Sequence, residues 1–232
     1  MVTSNRQLPP PLALRVSGAL ACFTRPELKV ERVSYPVMTP SAARGVLEAI
    51  VWKPAIRWRV ERIKVLSPIV FTAFRRNEVG SVAPKPPAAV ISGGGHVEPF
   101  FVEERRQQRN TVALRDVDYI IEARFELTEK AGPDDNKAKF VDMFRRRVQG
   151  GQHFHHPYLG CREFPADVRP VNESIPAPIP ETRDLGLMLW DIDYAGGGNT
   201  PVFFPAELRN GILEVPADPR ATATAEQPGG AE

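Results

Sequence analysis

The chain is poor in the features that mark several large protein classes. Its 232 residues include two cysteines, Cys22 and Cys161, with no CxxC spacing. That pattern excludes a disulfide framework and suits a reducing compartment. No run approaches the roughly 18 consecutive apolar residues of a membrane helix, so no membrane partner is expected. The start, MVTSNRQLPPP, has no basic region followed by an apolar stretch, so no secretory signal is expected and the cytoplasm is the expected location. The glycine runs at 93–95 and 196–198 lack the GKS or GKT of a P-loop and do not join a strand to a helix in a GxGxxG pattern. A GxSxG elbow is missing too, and neither cysteine has a catalytic context, which excludes the common nucleophilic hydrolases. Asp191 and Asp193 alternate along one segment and read as a solvated strand face.

What is present is a chain 42% hydrophobic and 25% charged, enough to bury a core as one larger domain or two small ones. The net charge of +2 conceals an asymmetry. Residues 1–115 hold 18 Lys and Arg against 8 Asp and Glu, a net of +10; residues 116–232 hold 12 against 20, a net of −8. A basic half points to a polyanionic partner, and the acidic remainder opposes indiscriminate binding.

Alternation predicts a strand over 12–19, LALRVSGA, followed by a long connection carrying Arg25, Lys29, Arg32 and Tyr35. A helix opens at Pro40-Ser41, with Ser41 as its cap and Ala43, Val46, Leu47 and Ile50 as its buried stripe. Gly45 weakens that helix, which suggests a close packing contact or an approaching RNA backbone. Strands are expected over 55–66 and 68–79, then a proline- and glycine-rich mobile loop over 79–99, the arginine-rich EERRQQRN, and a strand over 116–127. A second helix over 137–148 carries the stripe Phe140, Val141, Phe144 and Val148, capped by Asp134, Asp135 or Asn136 and ended by Gly150-Gly151. A strand over 157–164 follows. This order predicts an α+β fold built on a ferredoxin-like βαββαβ unit with an inserted β-hairpin. Beyond a proline-rich connector, short strands around turns at Gly196–Asn199 and Asn210-Gly211 predict a small C-terminal β-sheet region. The expected division is 1–166, 167–216, and a tail over 217–232 too polar to order itself.

Chemistry concentrates between Asn136 and Phe164, which holds three of the four histidines, one cysteine and the run Arg145–Arg147. His153, His155, His156 and Cys161 form an HxHHxxxxC cluster of metal-ligand types, but its spacing matches no standard zinc module and no second cluster is present. Neither metal nor cofactor is expected. The basic positions make a more coherent set. Lys29 and Arg32, Arg75-Arg76, the group Arg105, Arg106 and Arg109, and Arg145, Arg146 and Arg147 lie on or beside different elements, and would line one channel if the fold joins them. Guanidinium forks bind phosphates bidentately, and Tyr35, Phe74 and Phe154 supply rings for base stacking. RNA is the polyanion these residues favour.

The segments FTRPELKVERVSYPVMTPSAARGVLEAIVWKPAIRW (23–58), RRNEV (75–79), RRQQR (105–109) and FRRRVQGGQHFHHPYLGCREFPA (144–166) resemble the Cas-five subunit of type I-C CRISPR systems. The likeness spans most of residues 10–215. It implies a ferredoxin-like RAMP fold and a metal-independent endoribonuclease that cuts CRISPR repeat RNA by 2′-hydroxyl attack. It also implies that the protein keeps the crRNA 5′ handle within the type I-C Cascade complex, with other Cascade subunits and target DNA as further partners. Some members use a tyrosine just before the WKP motif and a Lys-His pair at the start of the second helix. Here those positions are Val51, before Trp52–Pro54, and Lys139-Phe140. Lys139 is then the cation for the phosphorane. The base comes from His153, His155 or Tyr35, with His153 the best substitute, or cleavage is weak, or the chain binds RNA as a non-catalytic structural subunit.

Overall fold

The computed structural model describes residues 10–28, 30–172, 174–194 and 198–220. Its architecture is α+β, a mostly antiparallel sheet with few helices. The sheet is organised by one strand, β5 (Arg106–Leu127), which is 22 residues long. The second half of β5 lies between β1 (Leu12–Ala21) and β3 (Ile56–Val65), antiparallel to both, with Leu14 opposite Ile121 and Trp58 opposite Phe125. Its first half pairs with β4 (Val70–Val79) through ten residues, from Val70↔Arg115 to Val79↔Arg106, and on the other side with the short parallel β2 (Arg32–Val33). Asp116, at φ 53, marks the changeover. Thus RRQQRN belongs to the strand. Its polar residues give no alternation to read, and the long register with β4 decides its conformation.

Helix α1 (Pro40–Ile50) has Pro40 at its first position, and the Thr39 side chain, not Ser41, accepts the Ala42 N–H at 3.3 Å. Ala43, Val46, Leu47 and Ile50 are buried, as their spacing predicts. Gly45 is exposed with nothing within 4 Å of an added Cβ, so no packing contact requires it. An exposed helix α2 (Ala88–Gly93) interrupts the 79–99 stretch and ends at Gly94 in the left-handed region.

Helix α3 (Lys137–Gln149) is capped by Asn136 Oδ1, which accepts the Lys139 N–H at 2.9 Å. Its Phe140 meets Phe125 at 6.1 Å, and its Phe144 meets Trp58 at 5.3 Å. Trp58 also donates its indole N–H to the Val51 carbonyl just past α1, at 2.8 Å. Both helices therefore pack on one face of β3 and β5, around a ring cluster that contributes beyond its buried area.

The residues expected as a strand over 157–164 instead fold back on themselves. Leu159 donates to the Phe164 carbonyl and Ala166 to that of Pro157, while Gly160 takes φ +83. A Cβ at Gly160 would lie 2.1 Å from the Cys22 carbonyl oxygen, and that close approach closes the turn. The strand beside β1 is β6 (Asp167–Pro170). The sheet continues from β3 to β9 (Ile212–Glu214), β8 (Thr200–Arg209) and β7 (Arg183–Asp193). Asn210 and Gly211, both at positive φ, make the tight turn between β8 and β9 that the Asn-Gly pair predicts. Of the expected tail, residues 221–232 lie outside the described residues; Arg220 reaches Asp193 at 2.7 Å. No helix among the described residues is long and apolar enough to cross a membrane.

Two glycine substitutions separate these roles. Gly160→Ala is expected to lower stability by at least about 2 kcal/mol through steric overlap and a strained φ. Gly45→Ala should raise it by about 0.5–1 kcal/mol; chemical denaturation of both variants checks this.

Candidate functional site

The carboxyl end of α1 is where the local structure becomes chemical. A helix leaves its last carbonyls without intrahelical partners. Here the Phe154 N–H donates to Ala49 O at 2.7 Å and the Arg147 guanidinium to Ile50 O at 2.5 Å. Gly151, at φ +62, ends α3 so that the following chain turns onto α1. This pins the backbone of Phe154 while its ring stands 83% exposed. Arg147, Gly151, Gln152, His153 and Phe154 line an open cleft of about 530 Å³. His153 and His156 meet edge to face at 5.1 Å, and His155 lies 6.4 Å from Tyr158. Arg145 and Arg146 are exposed on the outer face of α3. An imidazole, a guanidinium and a fixed exposed ring around one cleft are suited to proton transfer, phosphate binding and base stacking.

Lys139 lies at the other end of the same helix. At 1.5 Å per residue, α3 runs about 15 Å from Lys139 to its end at Gln149, and His153 follows beyond that end. Its ammonium is exposed and pairs with Asp135 at 2.8 Å. The Asp135 carboxyl is held below its ordinary range by Lys139, by the Gly132 N–H at 3.0 Å and by Lys53. Lys139 is correspondingly pushed up by Asp135. Val51 and Phe140 are buried in the core, so those two positions serve packing.

The basic set divides. Arg32, Arg76 and Arg109 converge on Glu78, at 3.3, 3.3 and 4.0 Å. Arg32 and Arg76 also share Glu163, and Arg76 donates to Thr111 Oγ1 at 3.0 Å. Arg75 projects from the opposite face of β4. Arg105 and Arg106 are exposed at the start of β5, where Arg106 reaches Glu103 at 3.8 Å. Lys29 lies outside the described residues. The arginines therefore form two groups, one on the β4–β5 hairpin and one on α3.

Tyr35 requires a correction. It is fully buried, with the Arg25 guanidinium 4.5 Å from its ring centroid, and burial followed by the nearby Glu27 pushes its hydroxyl above the ordinary value. Its ring is core and its proton stays on, which removes it from the stacking rings and the candidate bases. Sequence reasoning also missed the carboxylates Glu78 and Glu163 that bind the hairpin arginines together. Alternation on β4 put Glu78 on the Arg76 face, but only tertiary contact brings Glu163 there. Asp191 and Asp193, read as a solvated face, are ion-paired with Arg44 and Arg220. Among the described residues, no group of three or more His, Cys, Asp or Glu side chains is placed to hold a metal ion.

The fold is shared with a solved structure of a CRISPR-associated protein, at a TM-score of 0.64 and 23% identity, covering 89% of this chain and 91% of the other. It is shared equally with a functionally uncharacterised Streptococcus mutans protein, at 0.63 and 22%, covering 88% and 91%. Residues 11–216 match the model of the CRISPR-associated protein (Cas_Cas5) family, and the chain belongs to that family. It is 48% identical over 213 residues to the Mannheimia succiniciproducens CRISPR pre-crRNA endoribonuclease Cas5d, covering 88% of this chain and 94% of the relative. It is 44% identical over 225 residues to the Thermus thermophilus protein of the same name, covering 89% and 92%.

The capping role of Arg147 sets it apart from its neighbours. Arg147→Ala should cost about 1–2 kcal/mol by stranding the Ile50 carbonyl, whereas Arg145→Ala and Arg146→Ala should stay within about 0.5 kcal/mol; thermal or urea melts of the three variants test this.

Proposed function

We propose that the chain is a pre-crRNA endoribonuclease that cuts CRISPR repeat RNA without a metal ion and stays on the crRNA 5′ handle as a subunit of the type I-C Cascade complex. The observation that carries this is the 48% and 44% identity, over nearly nine-tenths of the chain, to two proteins named CRISPR pre-crRNA endoribonuclease Cas5d. The finer fold proposed is the ferredoxin-like βαββαβ unit. It is supported by the order β6-β1-β5-β3, antiparallel at each step, with α1 between β1 and β3 and α3 between β5 and β6. In that reading β4 and the first half of β5 are the inserted hairpin, and β7–β9 the C-terminal β region. The division at residue 166 is compositional; β6, just past it, returns to β1.

The reaction proposed begins with removal of a proton from the ribose 2′-hydroxyl by the His153 imidazole. The 2′-oxygen attacks the adjacent phosphorus, the bond to the 5′-oxygen breaks, and that oxygen takes a proton. The products are a 2′,3′-cyclic phosphate and a 5′-hydroxyl. Charge on the phosphorane needs a cation beside the base. Arg147 shares the cleft with His153, whereas Lys139, in the first turn of α3, grips a phosphate farther along the strand. Phe154 stacks a base next to the cut, and Arg32, Arg75, Arg76, Arg105, Arg106, Arg109, Arg145 and Arg146 follow the backbone. A second reading, a non-catalytic handle-binding subunit, is favoured by one observation: Val51 and Phe140 are core residues that carry no proton, and Lys139 is held by Asp135.

Cleavage of a cognate repeat hairpin in EDTA tests both readings. The enzyme reading expects cutting that a 2′-deoxy nucleotide at the scissile position abolishes, and that His153→Ala reduces by about 100-fold or more. Uncut RNA under saturating wild-type protein would leave the structural reading. Activity lost in Lys139→Ala and kept in His153→Ala would move the centre to the other end of α3. Phe154→Ala should weaken repeat binding by about 5- to 100-fold without changing stability, measured by titration at fixed salt.

A further inference from the structure

Of the three tryptophans, Trp52 alone is exposed, at 58%, and the proposed reaction leaves it unused. Its turn is pinned on both sides. The Trp58 indole N–H holds the Val51 carbonyl at 2.8 Å, and the Ile56 N–H closes onto Lys53 O at 3.1 Å. Thr128 holds the next two carbonyls, its Oγ1 donating to Pro54 O at 2.6 Å and its N–H to Ala55 O at 2.9 Å. Thr128 Oγ1 also accepts the Lys130 N–H at 3.2 Å, which ties the loop after β5 to the turn after α1. A large ring is thus presented to water on a rigid support. A lone exposed ring needs no explanation; the cations around this one do.

Trp52 opens onto a groove of about 700 Å³ between the end of α1, the start of β3 and the end of β5. Two of the three carboxylates lining it are engaged. Glu48 is held by Arg44 at 3.1 Å, and Glu126, directly opposite Arg57 in the β3–β5 register, is taken by Arg59 at 3.5 Å. Arg57 and Lys130 line the groove exposed and, among the described residues, ion-paired with nothing. The Lys53 ammonium forms no ion pair either, and its charge reaches Asp135, the partner of Lys139. Three cations facing one unengaged carboxylate, Glu129, leave the groove positive. The hairpin group is the opposite case, since Arg32, Arg76 and Arg109 are already neutralised around Glu78. The groove also joins the two ends of α3. Lys53 faces the Lys139 end, and Trp52 lies two residues past Ile50, whose carbonyl Arg147 caps, so their Cα atoms are within about 8 Å.

We propose that this groove is a single-stranded RNA subsite, in which Trp52 stacks one base of the repeat and Lys53, Arg57 and Lys130 bind the phosphates on either side of it. An open groove with one free ring and separated cations suits a single strand, whose bases are available to stack; the bases of a duplex stack on each other and reach no side-chain ring. The strand leaves the cleft of Arg147 and His153, passes over Trp52 and continues to Lys139. Stacking accepts any base, so the subsite positions the strand without reading its sequence. Two lysines beside the ring oppose a protein partner, since the cores of protein interfaces are depleted of lysine. The ligand of the subsite rests on the proposed function; the uncommitted cations and the fixed ring do not.

The test titrates the full chain with repeat RNA blocked by a 2′-deoxy nucleotide at the scissile position, and follows tryptophan emission together with affinity. Saturating RNA is expected to quench the emission, and Trp52→Phe should remove that quenching while keeping most of the affinity. Trp52→Ala should weaken binding about 5- to 100-fold and leave thermal melting unchanged. Arg57→Gln and Lys130→Gln should each lower the slope of log affinity against log salt by about 0.7. The repeat annealed to its full complement should bind wild type and Trp52→Ala alike. Emission unmoved by saturating RNA, with Trp52→Ala binding as wild type does, overturns the subsite and leaves the ring to a protein partner. A Trp52 effect that persists on the duplex overturns the single-strand assignment. Binding that Phe154→Ala weakens and Trp52→Ala does not overturns the subsite alone, whereas repeat RNA that fails to bind wild type overturns the proposed function with it. Binding through Trp52 without cutting of unblocked RNA supports the subsite and favours the non-catalytic reading.

Discussion

The 22 residues of β5 must satisfy two rows of backbone hydrogen bonds over their whole length, and the way they do so arranges nearly everything else. One half is sealed between β1 and β3 and contributes Tyr119, Ile121, Ala123 and Phe125 to the core. The other half adds Ala113 and Leu114 to the core, runs out to the exposed end at Arg106 and is held chiefly by β4. Because the two halves are one strand, the arginines of the hairpin are fixed relative to the helices that pack on the core. A basic arm on a flexible loop would have no such relation to α3.

The carboxyl end of α1 is a second constraint, smaller but more chemical. Its last carbonyls need donors, and Arg147 and the Phe154 N–H supply them. The exposed ring of Phe154 and the neighbouring His153 are presented where they are because a helix end has been capped. One contact thus serves stability and presentation together. It also explains why Arg147 differs from Arg145 and Arg146, although the three are consecutive in one run.

Charge is managed by the same economy of contacts. The first half of the chain is strongly basic, yet Arg32, Arg76 and Arg109 surround Glu78, with Glu163 contributed from the 157–166 turn. Such exposed pairs add little stability. They hold the forks in place and lower the local excess of positive charge. The family relationship is consistent with a basic surface, since residues 11–216 match a CRISPR-associated family.

The sequence by itself determined the local features whose signal is periodic or positional. The stripes of α1 and α3, the Asn136 cap, the Asn210-Gly211 turn, the alternation of β1 and β3, and the segments shared with the Cas-five family are all readable from neighbouring residues. Long-range pairing escaped it. The polar first half of β5 takes its conformation from β4, the expected strand over 157–164 is a turn closed against Cys22, and Tyr35 is buried under Arg25. At the site, His153, Arg147 and Phe154 share a cleft, and Lys139 lies at the start of α3, whose last turn carries Arg147. Cys161 donates to the carbonyl of Cys22, 139 residues away, and accepts from Arg32. Each of these depends on which distant backbone supplies a hydrogen bond or fills a space, and tertiary structure alone decides that.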